Sequence, residues 1–446
     1  MNQPGCPVCP AASSGYVKMI PLRFVEPRVR TTTTYRYLGG ATIKTIRKRV
    51  GVVGLFSNEN IGDYLLVESA KFLLKKHSPD ISLQDVDVDP RDPLIFQGRR
   101  RINLYLHVLL LRNRKMVFSI IRLRTFQYFY EYFMWWLKVN WYYKEVMQSL
   151  DGLVIAGGGF IKFKTQGLNY LDEQIIKIAE KRNIPVMFNA VGVEGYDPND
   201  IRSRRLKRAL NSDVVRVITT RDDLTTLRNS YITNKSIISD LVGDPVFWLQ
   251  DAFSIEKRSD AVNVGINLIN PDNYKEYGGE ADSFKIANFY KNLIQELNIQ
   301  GVDFYLFSNG MEVDQRFGEQ LVAAMNLPQN RLIRRPESSV EFLATMTDFK
   351  VILAARMHAG IVAYALDIPK VGLIWSEKID FLAHLLGERD AYFNEEELDY
   401  RTIVQLLIKS ESLKIDTTTR DTLKQKTFSH IGSFLDDLDG TGGEER

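Results

Sequence analysis

The fold class follows most directly from residues 351–360, which read Val-Ile-Leu-Ala-Ala-Arg-Met-His-Ala-Gly. The first four form a short apolar run, which is typical of a strand buried in a parallel sheet. The small residues that follow predict a helix, so Arg356 and His358 lie at the carboxyl end of the strand, where α/β sheets bind ligands. We expect Lys378 to join them. A guanidinium, an imidazole and an ammonium would together suit a small, multiply charged anion.

The same alternation of strand and helix extends along most of the chain. In the first half, the pattern predicts strands at 50–56, 81–88, 153–156, 185–190 and 214–219, and helices at 64–76 and 169–182. In the second half, it predicts strands at 262–268, 302–307 and 351–354, and helices at 283–297, 314–325 and 340–347. Two alternating blocks joined by a charged linker at 251–260 predict an α/β protein with two Rossmann-like domains that face a cleft.

These blocks divide the chain into four segments. Residues 1–47 show no clear periodicity, so we expect an N-terminal extension that is partly disordered. Residues 48–250 form the first domain with an insertion at 90–150, residues 251–400 form the second, and 401–446 supply C-terminal helices and a tail. The length of 446 residues agrees with two domains, because one hydrophobic core stops growing at roughly 250–300 residues.

Composition argues against several classes of protein. The net charge is only +3 and no nucleic-acid-binding motif accompanies it, so we expect no nucleic acid partner. Cys6 and Cys9 are the only cysteines, and without a second pair or nearby histidines we interpret them as tail residues. No His/Asp/Glu grouping has ligand spacing, so we expect no metal. Because the sequence shows neither a secretory signal nor an apolar run of about 18 residues, we expect a cytoplasmic protein.

Residues 99–143 break the alternation. Large apolar and aromatic residues are interleaved there with eight basic residues that precede the first acid, Glu131, namely Arg99, Arg100, Arg101, Arg112, Arg114, Lys115, Arg122 and Arg124. This mixture is typical of a helix at an anionic membrane surface, which would make the protein peripheral at the inner membrane face. Two alternatives are open. The helices could pack on the first domain with the arginines in solvent, or single-stranded nucleic acid could stack on the aromatics, although the helical spacing suits burial better.

Short motifs at the predicted strand ends make the chain resemble the polysaccharide pyruvyl transferase family from about Val50 to Lys378. Each motif is short, and their order and spacing together carry the resemblance. In chain order they are Asn60-Ile61-Gly62-Asp63, Ala156-Gly157-Gly158-Gly159, Ala190-Val191-Gly192-Val193, Thr220-Arg221-Asp222, Asp244-Pro245-Val246-Phe247, and Arg356-x-His358 followed by Lys378.

The resemblance implies a GT-B-like fold and the transfer of pyruvate from phosphoenolpyruvate to sugar hydroxyls as a ketal, with release of phosphate. The acceptor would be a polysaccharide or its lipid-linked precursor, and phosphoenolpyruvate would be the donor substrate with no other cofactor. The implied donor site consists of Arg221, Arg356, Met357, His358 and Lys378. Family members often carry Leu or another aliphatic residue where this chain has Met357, which is a similar apolar side chain.

The chemistry of these residues agrees with that donor, because two arginines and a lysine can bind both a carboxylate and a phosphate. His358 is the expected general acid, since the ordinary pKa of imidazole is near 6.5. Asp63 and Asp244 are the candidate bases for the sugar hydroxyl, and capping of a helix is a competing role for Asp63. We expect Asn60 and Gly157 to Gly159 on the acceptor side.

Two other functions stay open. A glycosyltransferase of the same fold would bind a nucleotide sugar, with Arg356 and Lys378 on the diphosphate and Glu377 on the ribose. A non-catalytic scaffold of a polysaccharide-assembly complex would use the basic, aromatic segment as a contact surface. A pure scaffold has no need for four convergent polar groups at strand ends, which argues against it.

Overall fold

The computed structural model describes residues 34–38, 41–45, 48–56, 60–90, 99–116, 124–164, 167–261, 263–276, 282–413 and 415–440. Cys6, Cys9, the rest of the predicted extension before residue 34, and residues 57–59 of the first turn lie outside the described residues. Strands β1 (Thr34–Leu38) and β2 (Ala41–Thr45) pair antiparallel, in a segment whose sequence shows no clear periodicity. Residues 48–446 form one compact unit.

The first sheet has six parallel strands in the order β4-β3-β5-β6-β7-β8. The strands are β3 (Arg49–Gly54), β4 (Ser82–Asp87), β5 (Gly152–Ile161), β6 (Val186–Val193), β7 (Val215–Thr220) and β8 (Ile238–Leu241). The accompanying helices are α1 (Ile61–His77), α2 (Arg99–Arg112), α3 (Arg124–Val146), α4 (Leu168–Glu180), α5 (Ile201–Leu210), α6 (Leu224–Thr226) and α7 (Leu249–Phe253). Because β3 lies between β4 and β5, the strand order reverses there and leaves a crevice at the strand ends.

The second sheet has five parallel strands in the order β10-β9-β11-β12-β13, with the same kind of reversal at β9. The strands are β9 (Asn263–Asn267), β10 (Phe304–Phe307), β11 (Phe349–Ala354), β12 (Lys370–Leu373) and β13 (Tyr392–Phe393). The helices are α8 (Pro271–Glu276), α9 (Ser283–Ile299), α10 (Glu312–Ala324), α11 (Ser339–Thr347), α12 (Met357–Ala365), α13 (Glu377–Leu385), α14 (Tyr400–Ile408) and α15 (Thr417–Leu438). Two parallel sheets with alternating helices confirm the predicted α/β class.

The backbone structure at the three glycines after Ala156 differs from the one that the sequence predicts. The sequence predicts a turn at Gly157 to Gly159, but β5 continues through them to Ile161. Gly157 and Gly158 adopt positive φ angles of 72° and 85°, and the register with β6 shifts between Gly158 and Ile161. Only glycine adopts such angles without strain, so these residues form an irregularity that re-aims the end of the strand.

Two helices hold the sheets together. Ile61 and Leu65 of α1 share an apolar cluster with Phe342 and Met346 of α11, so the start of α1 is pressed against the second half of the chain. The last helix, α15, returns to the first sheet, where Ile431, Phe434 and Leu435 pack with Val50, Val52 and Leu73. Apolar burial on both sides therefore fixes the position of α1.

The insertion consists of α2 and α3. Helix α3 packs on the first sheet and on α4, and α2 packs on α3. The side chains of α3 that enter the core include Tyr128, Met134, Val139 and Tyr143. Among the helices that the structure describes, none is both long and apolar enough to cross a bilayer.

Candidate functional site

Polar side chains follow the carboxyl ends of strands from both sheets and meet between the two halves. From the first half come Asp63 at the start of α1, Lys162 after β5, Glu194 after β6, Arg221 after β7 and Asp244 after β8. From the second half come His358 at the start of α12 and Lys378 at the start of α13. The site therefore occupies the position where α/β sheets present ligand-binding residues.

His358 of the second half contacts Arg221 of the first half. Its Nε2 lies 3.4 Å from Nη1 of Arg221. Because arginine can only donate, Nε2 accepts and the imidazole carries its proton on Nδ1. Burial, assisted by the charge of Arg221, lowers the pKa of His358 to about 3, so the imidazole is neutral in the free protein.

Arg221 is held in place by an ion pair with Asp244, and both side chains are buried. The other oxygen of Asp244 accepts from the backbone N–H of Val246 at 2.9 Å, at the start of a 3₁₀ turn over Pro245–Trp248. A buried guanidinium that is fixed at one end and open to a second partner, His358, is preorganised for an anion.

The Asp222-Asp223 pair has a structural role. Asp223 caps α6 by accepting from the backbone N–H of Thr226 at 2.8 Å. Asp222 joins the ends of β6 and β7, because one of its oxygens accepts from the backbone N–H of Val193 and from the Thr220 hydroxyl, each at 2.8 Å. Burial raises the pKa of Asp222. These contacts hold the backbone on either side of Arg221, so both carboxyl groups have a structural role and neither is assigned a catalytic one.

Two lysines, one from each half, converge on Gly159. A Cβ at Gly159 would lie 3.2 Å from Nζ of Lys378 and 3.9 Å from Nζ of Lys162. Lys162 is buried, whereas Lys378 is partly exposed and donates to Glu194 at 2.9 Å. Burial and, to a smaller extent, the charge of Lys378 lower the pKa of Lys162. Two crowded ammonium groups form a site in which an anion would be stabilised.

Asp63 lies in the first turn of α1, next to Gly62, which His358 contacts. Its Oδ2 accepts from the side-chain amide of Asn60 at 2.8 Å, and Asn60 occupies the N-cap position, so Asp63 is not the cap that the sequence allowed. Burial raises the pKa of Asp63, although the charges of Arg221 and Lys162 oppose that shift. A buried carboxyl group with a raised pKa next to several cations is a candidate for proton transfer.

Arg356 and Met357 have other contacts. The guanidinium of Arg356 forms a buried two-point pair with Asp314, with Nε to Oδ2 at 2.8 Å and Nη2 to Oδ1 at 2.7 Å. Its backbone N–H donates to Oδ1 of Asn267 at the end of β9. Met357 is half-buried and packs on an apolar cluster that contains Ile379. The structure therefore brings Asp63, Arg221, His358 and Lys378 together, and gives Arg356 a partner of its own.

Sequence reasoning missed Lys162, Glu194 and Asp314. Lys162 and Glu194 each follow the last residue of a strand. The rule that singled out Arg221 would have found Lys162 had β5 been extended past the glycines, and Glu194 had β6 been extended to Val193. Asp314 has no such signal, because an acid in the first turn of α10 is common at helix N-termini. Among the described residues, no group of three or more His, Cys, Asp or Glu side chains could hold a metal ion.

Comparison with known proteins gives a family and a fold. The family model for polysaccharide pyruvyl transferases matches residues 60–377, which is most of the chain and includes every residue of the site above except Lys378. No curated protein is similar enough to count as a relative. The family match thus confirms the resemblance that the strand-end motifs indicated.

Two solved structures illustrate the fold. MnaA from S. aureus, solved with UDP, is 10% identical, covers 90% of this chain and 99% of its own, and superposes with a TM-score of 0.52. A Listeria monocytogenes protein assigned as a UDP-N-acetylglucosamine 2-epimerase is 8% identical, covers 90% and 98%, and gives a TM-score of 0.52. At this identity the likeness establishes the two-sheet, GT-B-like fold alone.

Proposed function

The chain belongs to the polysaccharide pyruvyl transferase family, and from that membership we propose that it transfers pyruvate from phosphoenolpyruvate to two hydroxyls of a sugar. The sugar belongs to a polysaccharide or to its lipid-linked precursor. The product is a cyclic ketal, and inorganic phosphate is released. Phosphoenolpyruvate is a substrate here, and no further cofactor is required, because cations of the chain neutralise its charge.

The observation that carries this proposal is the meeting of Lys162, Lys378 and Arg221 between the two halves. Phosphoenolpyruvate carries a carboxylate at one end of a three-carbon unit and a phosphate on the neighbouring middle carbon. A pair of lysines at Gly159 can bind one anionic group, and Arg221, which is fixed by Asp244, can bind the other. Arg356 then acts either on the donor directly or by holding the start of α12, which carries His358.

Ketal formation sets the proton balance. The methylene carbon of the donor gains one proton, its neighbouring carbon forms two bonds to sugar oxygens, and the bond to the phosphate oxygen breaks. Of the two protons released by the sugar hydroxyls, one is equivalent to the proton gained by carbon and the other leaves with phosphate. Asp63 is suited to accept a hydroxyl proton, since burial raises its pKa.

His358 can act as the acid only after the donor has bound. The free site holds its imidazole neutral, because burial and Arg221 lower its pKa to about 3. A bound donor with several negative charges would oppose Arg221 and raise that pKa. Asn60, Asp244 and Gly157 to Gly159 remain the acceptor-side candidates, since they border the same crevice.

The direct test is a thermal-unfolding titration with phosphoenolpyruvate and, separately, with a panel of UDP-sugars. A ligand at about 100 times its Kd stabilises the native state by roughly 2.7 kcal/mol, which is a measurable shift in Tm. We expect phosphoenolpyruvate to give the shift and Lys378→Met to remove it. Lys350→Met, which changes an exposed lysine paired with Glu411, is the matched control and should keep the shift.

A shift with a UDP-sugar alone would replace this proposal with glycosyl transfer on the same fold. Where phosphoenolpyruvate binds, release of phosphate that requires an added sugar acceptor tests the transfer itself. Turnover in His358→Ala equal to that of the wild type would remove the imidazole from the mechanism.

A further inference from the structure

The insertion carries most of the exposed apolar side chains in the described part of the chain. The described part of the chain has 15 exposed large hydrophobic residues. Of these, 11 lie between residues 102 and 136, on α2, on α3 or just after α2. They are Ile102, Tyr105, Leu106, Val108, Leu109, Leu111, Met116, Phe126, Phe129, Phe133 and Trp136. Such a concentration on two adjacent helices marks an interaction surface rather than the scattered exposure that is normal.

Helix α3 has two different apolar faces. One face contributes Tyr128, Met134, Val139 and Tyr143 to the interior, as the packing alternative predicted. The opposite face presents four exposed aromatic residues at intervals of three or four positions, namely Phe126, Phe129, Phe133 and Trp136. Residues at this spacing line one side of a helix, so they form a continuous aromatic stripe.

Helix α2 carries exposed apolar side chains as well. Its buried side is centred on His107, whose Nδ1 lies 2.9 Å from the carbonyl oxygen of Met134 on α3 and whose ring packs on Trp135. At 100° per residue, the side of α2 opposite His107 carries Ile102, Tyr105, Leu106 and Leu109, all of which are exposed. Both helices thus present exposed apolar side chains.

The charged residues of this surface are mainly basic. Arg112 and Lys115 are exposed at the end of α2, and the sequence contains no Asp or Glu from 93 to 130. The first acid, Glu131, is buried, accepts from the hydroxyl of Tyr170 and pairs with Arg114 at 2.5 Å. A partner must therefore supply both an apolar phase and negative charge.

We propose that the outer face of α2 and α3 docks on an anionic lipid surface, with the aromatic stripe inserted at the level of the headgroups and with Arg112 and Lys115 on lipid phosphates. A second copy of the chain fits less well. Two such faces would bring like charges together without acids to balance them, and apolar burial alone would have to offset that repulsion. The proposal does not depend on which donor the active site uses.

The position of the surface connects it to the site. Trp135 of α3 lies against Gly167, where a Cβ would come within 2.6 Å of the indole Nε1, and Gly167 has a positive φ of 70°. Gly167 is the N-cap residue of α4 and lies only five residues after Lys162. Gly167, close in sequence to Lys162 of the active site, is therefore packed beneath the proposed docking helix.

Vesicle flotation tests the proposal on the full chain. We expect binding to vesicles of equal parts phosphatidylcholine and phosphatidylglycerol, and little binding to phosphatidylcholine alone. Phe129→Ser combined with Phe133→Ser should reduce partitioning roughly tenfold or more per side chain. Arg112→Ser with Lys115→Ser should weaken it roughly fivefold per cation at low salt. Phe284→Ser, at a phenylalanine of α9 that is 70% exposed, is the matched control and should bind as the wild type does.

Three results would overturn the proposal. The first is recovery of the wild type away from anionic vesicles at low salt. The second is equal loss of binding in Phe284→Ser and in the stripe variant. The third is a wild-type dimer in light scattering that becomes a monomer in the stripe variant while neither binds vesicles. The Tm shift with phosphoenolpyruvate should be the same in the stripe variant as in the wild type. That result shows that the variant is folded and that its loss of vesicle binding does not come from a change in the active site.

Discussion

Gly62 and His358 are in direct contact across the two halves of the molecule, with the imidazole resting on the backbone of the first turn of α1. A Cβ at position 62 would lie 2.5 Å from the Cβ of His358, a distance that real side chains do not adopt. Because the obstructing atom is close to the backbone of α12, rotation of the ring cannot relieve it. The absence of a side chain at Gly62 is therefore a condition for closing the site.

Gly62→Ala should consequently separate the two halves at the site. We expect a loss of roughly 1–3 kcal/mol in the free energy of unfolding, as for other overpacked positions. Loss of the Tm shift with phosphoenolpyruvate should accompany it, because Lys378 would no longer reach Gly159. Chemical denaturation and ligand titration measure the two effects.

Gly195→Ala is the matched control, since a Cβ there would meet no atom within 4 Å and should change neither quantity. The double variant Gly62→Ala/His358→Gly should recover stability relative to Gly62→Ala, because it removes the Cβ of His358 and residues in contact are not additive. A Gly62→Ala protein as stable and as active as the control would contradict the contact.

His358 also predicts how stability depends on pH. Its pKa is about 3 in the folded protein and about 6.5 when unfolded, so between these values the unfolded chain binds a proton that the folded protein does not. Stability is therefore lost as pH falls below about 6.5. At about pH 5 the free energy of unfolding should be roughly 2 kcal/mol lower than at neutral pH, and His358→Gln should not show that loss. Parallel slopes for the two proteins from pH 7.5 to 5 would argue against a buried neutral imidazole.

Much of the fold could be predicted from the sequence because it depends on local apolar runs. Val351 to Ala354 and the corresponding runs of the first half are short and uninterrupted, which is what strands covered on both faces require. The strand-end rule then brought Asp63, Arg221, His358 and Lys378 to one crevice, because topology alone aligns the carboxyl ends of parallel strands.

Other features depend on tertiary geometry that no local pattern encodes. Arg356 is paired with Asp314, 42 positions away in sequence, and nothing near either residue indicates the other. The two sides of α3 are equally aromatic, so composition could not say that Tyr128 is buried whereas Phe129 is exposed. Lys162 was missed because the three glycines were assumed to end the strand, whereas β5 continues to Ile161.

Donor binding should take up a proton. Because Arg221 and burial hold His358 neutral, a polyanion placed beside Arg221 raises the pKa of the imidazole, and near pH 6 a proton should bind with the ligand. Calorimetric titration with phosphoenolpyruvate in buffers of different ionisation enthalpy measures that uptake. We expect uptake to increase as pH falls from 7.5 to 6, and to disappear in His358→Gln. Binding without proton uptake in the wild type would leave His358 neutral in the complex and would exclude it as the general acid.

The pair formed by Arg356 and Asp314 should matter more than any surface pair of the same helix. Asp314→Asn leaves a buried guanidinium without its counter-charge, which typically costs roughly 3–5 kcal/mol of unfolding free energy. Glu312→Gln, two positions earlier in α10, breaks the exposed pair with Arg316 and should cost less than about 1 kcal/mol. Because Arg356 precedes the helix that carries His358, Asp314→Asn should also weaken the Tm shift with phosphoenolpyruvate, while Glu312→Gln keeps it. Arg356→Lys should restore neither property, since an ammonium cannot form the two-point pair. Equal stability of the Asp314 and Glu312 variants in denaturant titrations would show that the buried pair has no such positioning role.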